Sequence, residues 1–111
     1  SDNQIRRLQH PKRCYAEQRG SFVDDGESFI FNGKIGDWAE LDTKSNIYIE
    51  LRSSSDQSFY YEAFPILSGD SYADDGFSAR VSKYNLKNDE YQVFLHIGNG
   101  ELTRYTELLL N

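Results

Sequence analysis

Carboxylates are the most abundant source of chemistry in this 111-residue chain, and they cluster. Asp70, Asp74 and Asp75 stand in one polar stretch, and Asp24, Asp25 and Glu27 in another. Several hard oxygen donors close together are what Ca²⁺ requires. The register of a helix–loop–helix calcium loop fails, because Tyr72 takes the third position from Asp70 and Asp75 the sixth, where glycine is needed. Calcium held between loops needs no such register. Asp70, Asp74 and Asp75 are therefore the candidate metal ligands, and calcium the one candidate cofactor. The competing and stronger reading makes them turn-formers, since Asp side chains bond the backbone two residues on.

Other reactive combinations are thin. His10, Cys14 and His96 are the whole supply of imidazole and thiol, and a transition-metal site needs more than these three positions offer. Cys14 has Lys12, Arg13 and His10 beside it to lower its pKa, but a thiol nucleophile also needs a base and an orienting group, so a small edge-strand residue is the simpler reading. Two carboxylates for glycoside hydrolysis must face each other across a cleft, and no spacing here places any pair that way. No residue is assigned a catalytic role, and the chain reads as a non-enzyme.

Aromatics give the better lead. Tyr48, Tyr60 and Phe94 fall on strand faces opposite the aliphatic set, and Tyr72 and Tyr84 in loops. Rings exposed beside Asp, Asn and Gln suit a glycan, whose pyranose ring stacks on an aromatic while its hydroxyls bond polar side chains. Tyr48, Tyr60, Tyr72 and Phe94 are the candidate ligand contacts. Docking to another domain and plain structural cover would use the same rings.

The elements that must position these residues are strands. Phe77, Ala79 and Val81 alternate with Ser78, Arg80 and Ser82; Tyr91, Val93, Leu95 and Ile97 alternate with Gln92, Phe94, His96 and Gly98. Period-2 alternation means half-buried strands. Ile47, Ile49 and Leu51 oppose Tyr48, Glu50 and Arg52 in the same way. Leu86 followed by Tyr91 at a strand mouth looks like a tyrosine corner, whose hydroxyl bonds the backbone upstream. Phe59 to Phe64 is expected to return from the SSSDQS connection, with Pro65 ending the strand by removing a ladder donor. Asp24-Asp25-Gly26-Glu27 and Asn99-Gly100 are turn signals. Trp38 and Phe77 are expected in the core.

Turn signals about every eight to twelve residues, and no convincing helix, predict an all-β fold: an antiparallel two-sheet β-sandwich of about seven to nine strands, immunoglobulin or fibronectin III-like. Residues 1–13 read as a polar basic lead-in or linker and 14–111 as the sandwich domain.

Charge narrows the partners. Residues 1–19 hold five basic and two acidic residues, and the remainder seven basic and sixteen acidic, within a net charge of −6. An acidic body argues against nucleic acid, since phosphate neutralisation needs a basic face. No apolar run is long enough to span a membrane. One cysteine excludes an internal disulfide and leaves the redox compartment open. The abrupt start at polar Ser1 suggests a piece of a longer protein.

The segments SFIFNGKIGDWAEL, SNIYIELRSSSDQSFYYEAFP and DDGFSARVSKYNLKNDEYQVFLHIGNG together resemble the small immunoglobulin-like domain appended to bacterial polytopic membrane glycosyltransferases and related cell-envelope polysaccharide proteins. The counterparts of its motifs are Asp37-Trp38-Ala39, Ile49 to Ser54, Gly76-Phe77-Ser78-Ala79, and Leu86 to Tyr91, over roughly residues 20–106. Asp37 between Gly36 and Trp38, and Asp89 where glycine is usual, depart from the pattern. The resemblance implies an accessory module of a larger envelope protein, extracytoplasmic or secreted, acting in docking or glycan contact. A carbohydrate-binding or calcium-dependent adhesion module is the alternative, and a small hydrolase the remote one. It transfers no catalytic residue.

Overall fold

A computed structural model of the chain describes residues 12, 13, 18–35, 45–69, 75–84, 86–99 and 102–110. The expected alternation becomes strands: β1 (Lys12–Arg13), β2 (Gln18–Asp24), β3 (Ser28–Lys34), β4 (Asn46–Ser53), β5 (Ser58–Ile66), β6 (Gly76–Ser82), β7 (Tyr91–Asn99) and β8 (Leu102–Leu110). Among the described residues there is no helix.

The prediction of an all-β chain holds, but the two-sheet sandwich needs correcting. Strands follow the order β8–β2–β3–β6–β5–β4–β7, and β7 pairs with β8 again, closing a seven-strand barrel. Two long strands close it by passing between layers. In β5, Ser58 to Ala63 pair with β4, whereas Phe64 to Ile66 pair with β6. In β8, Leu102 to Glu107 pair with β7 and Leu108 to Leu110 with β2. Twist carries a strand of this length off one layer and onto the next. The ring is not wholly antiparallel either, since β2 and β8 run parallel, as do β1 and β8.

Pro65 does not end its strand. β5 runs on to Ile66, with Pro65 opposite Phe77 of β6. Pairing with β4 has stopped at Ala63, so among the described residues β5 has a single neighbour there and a missing N–H is tolerated on the open side.

The core is built by the predicted periodicity. Ile47, Ile49 and Leu51 of β4, Phe77, Ala79 and Val81 of β6, and Val93, Leu95 and Ile97 of β7 are all buried, with Phe31, Ile35, Ala63 and Leu108 among them. Phe77 lies across Gly33 of the neighbouring strand; a Cβ at Gly33 would stand 2.7 Å from its ring. The tyrosine corner is present: the Tyr91 hydroxyl donates to the Lys87 carbonyl at 2.6 Å, and Leu86 packs against the core. Asp24 accepts the Gly26 N–H and Asp25 those of Glu27 and Ser28, with Gly26 at φ 99° between Asp25 and Glu27, so these carboxylates form the turn as expected. Asn99 pairs with Leu102, which leaves two residues between β7 and β8. Trp38, Cys14 and His10 lie outside the described residues.

Candidate functional site

Four strands, β5–β4–β7–β8, share one outward face. Register sets Glu50 between Tyr60 and Phe94, Tyr48 between Glu62 and His96, and His96 beside Tyr105. Three of the four candidate ligand contacts, Tyr48, Tyr60 and Phe94, are thus brought together. The fourth, Tyr72, lies outside the described residues.

The centre of this face is polar and closed. Glu50 is fully buried although it points away from the core. Its Oε1 lies 2.7 Å from His96 Nε2, and its Oε2 accepts from Ser58 Oγ at 2.6 Å and from Arg52 Nε at 3.0 Å. A second Arg52 nitrogen donates to Oε1 at 3.3 Å. An ionised carboxylate only accepts, so Nε2 is the protonated ring nitrogen. Burial is the largest single influence on Glu50 and opposes ionisation, but donation from His96, Ser58 and Arg52 outweighs it, and the carboxyl titrates at about 2.

Rings surround the pair. The His96 imidazole stacks on Tyr105 with centroids 5.3 Å apart and meets Tyr60 edge-on at 5.9 Å. Arg52 bends over Phe94, its guanidinium carbon 4.1 Å from the ring centroid. Phe94 is consequently buried, which corrects its reading as an exposed stacking platform. Tyr48 and Tyr60 are half-buried and are the accessible aromatics among the described members of the predicted set.

Ser, Glu and His in contact do not form a nucleophilic triad here. The base must stand between nucleophile and carboxylate, whereas Glu50 stands in the middle and receives both Ser58 and His96. The arrangement holds charge still.

Of the candidate metal ligands, only Asp75 is described. It is buried, its carboxylate accepts the Ser68 N–H at 2.9 Å, and its carbonyl accepts Ile35 N–H at 2.7 Å. Asp70 and Asp74 lie outside the described residues. Among the described residues, no three His, Cys, Asp or Glu side chains are grouped to hold a metal ion.

Sequence reasoning missed Glu50, Arg52, Ser58, His96 and Tyr105 as a unit. The available signal was an acid inside the apolar run Ile49-Glu50-Leu51 and an imidazole inside Leu95-His96-Ile97. Only the pairing of β4 with β7 makes these one site. Comparison of the chain with family models, with curated proteins and with solved structures finds no match.

Proposed function

We propose that this chain is a non-enzymatic, all-β interaction module of a larger, membrane-associated cell-envelope protein of glycosyltransferase type, on its extracytoplasmic side. It contacts glycan through the outward face of β5–β4–β7–β8. The observation that supports this reading best is the placing of Tyr48 and Tyr60 on one face, around a buried Glu50–His96 hydrogen bond that ties β4 to β7 beneath them. Rigid, half-exposed Tyr rings give stacking area at little entropic cost. Ser58 and Glu50 are committed to each other, which argues for contact and against hydrolysis.

A glycan array probed with the intact domain tests this. Binding to a polysaccharide fragment, lost in Tyr60→Ala and weakened in Tyr48→Ala, is the expected result. Uniform failure to bind would overturn glycan contact. The second reading, docking against protein, is favoured by Phe64 at 63%, Ile66 at 52% and Leu67 at 42% exposure along the end of β5 and beyond it.

A further inference from the structure

The barrel has an open mouth, and it lies away from the proposed glycan face. β8 leaves β7 after the Phe94–Glu107 pair and crosses to β2, so Tyr91 to Val93 keep only β4 as a described neighbour. β2 in turn is paired to β8 only through Gly20, and from Ser21 to Asp24 it has β3 alone. Between these two half-paired strands the inward-facing side chains reach solvent.

The result is a pocket of about 260 Å³. Its walls include Phe22, Phe29, Phe31, Tyr91 and Leu110, and one carboxylate, Asp89, stands at its rim. Phe22 packs against both Phe29 and Phe31, with centroids 5.1 and 5.5 Å away, yet stays 37% exposed. Asp89 is held in place by the hydroxyls of Ser54 at 2.5 Å and Ser55 at 3.3 Å, and by the Glu90 N–H at 2.7 Å. These donors, Ser54 foremost, lower its pKa, so it is anionic at neutral pH.

Aromatic walls with a fixed anion at the entrance are the chemistry that recognises an organic ammonium ion. The rings take the hydrocarbon body and attract positive charge through their faces, and the carboxylate completes the pairing. Such attraction already operates next door, where Lys83 Nζ lies 4.8 Å from the Phe29 ring centre. At roughly 30 Å³ for each water-sized group, the pocket has room for about nine heavy atoms. That is one ring with a short amine arm, and less than a sugar chain or a peptide.

We propose that the mouth of the barrel, between β2 and β7, is a binding site for a small aromatic or branched alkyl ammonium ion, with Phe22, Phe29, Phe31 and Tyr91 around the hydrocarbon and Asp89 against the charge. The site is independent of the glycan-contact reading.

The test is an NMR titration of the whole chain with 2-phenylethylammonium and with 2-phenylethanol, which has the same shape and no charge. Saturable shifts confined to the mouth are expected with both, the ammonium binding about three- to fivefold more tightly, as a screened, exposed ion pair allows. Asp89→Asn should narrow the gap between the two affinities by weakening the ammonium alone, and Phe22→Ala should weaken both. Phe22 is partly exposed and Asp89 lies in a loop, so both variants are expected to fold, which the dispersion of their spectra checks. No saturable shift at the mouth, or equal affinities in the unsubstituted chain, would overturn the proposal.

Discussion

Replacing Glu50 by Gln removes the charge at the centre of the β4–β7 pairing and keeps its shape. The size of the effect follows from the carboxyl titrating at about 2 in place of the ordinary 4.5. At about 1.4 kcal/mol for each unit of pKa, the difference is about 3 kcal/mol. Between pH 4.5 and about 2 the unfolded chain holds a proton on Glu50 that the folded chain does not. Stability therefore rises with pH in that window. The contribution is fully present above pH 4.5 and is lost as the pH falls towards 2. Glu50→Gln should cost about 3 kcal/mol at pH 7. That is at the low end for breaking a buried pair, because the Arg52 side chain is 39% exposed and can turn to water. Urea unfolding of both proteins at a series of pH values from 7 to 2 measures it. The two stability curves should converge as the pH approaches 2, since the unsubstituted protein then carries a protonated Glu50. Other carboxylates titrate in both proteins and cancel in the difference. Curves that stay a constant distance apart down to pH 2 would refute the reasoning.

Tyr91→Phe removes only the hydroxyl that bonds the Lys87 carbonyl, and should cost about 1 kcal/mol in the same unfolding assay. Gly33→Ala should cost about 1–3 kcal/mol through crowding, because the new methyl meets the Phe77 ring at 2.7 Å and Phe77 is fully buried. A drop in thermal midpoint checks it, and Gly33→Ala combined with Phe77→Leu should recover part of that particular loss.

The strands were legible in the sequence because their inward faces are apolar in strict alternation. Ile47, Ile49 and Leu51, or Phe77, Ala79 and Val81, announce both the strand and the buried side. The tyrosine corner was legible because its bond is local, from Tyr91 to Lys87 four residues upstream. What stayed hidden depends on register between distant strands. Glu50 and His96 are 46 residues apart, and neither position alone tells an exposed charge from a buried one. Alternation also led to the expectation that Phe94 is open to solvent, whereas Arg52 of the adjacent strand β4, two residue pairs along, covers it. The closure of the barrel was hidden for the same reason. A nine-residue β8 reads as one strand, and nothing in LTRYTELLL marks where its partner changes from β7 to β2.

That change of partner also decides how the domain bears a mechanical load. Gln18 to Gly20 and Leu108 to Leu110 lie side by side and parallel. Tension that draws the chain before β2 and the chain after β8 apart slides these strands along each other, so their ladder bonds are strained together in shear. Antiparallel end strands pulled from the same side would instead peel open one bond at a time. A chain stretched from these two ends would thus resist first at the short parallel seams that β1 and β2 make with β8.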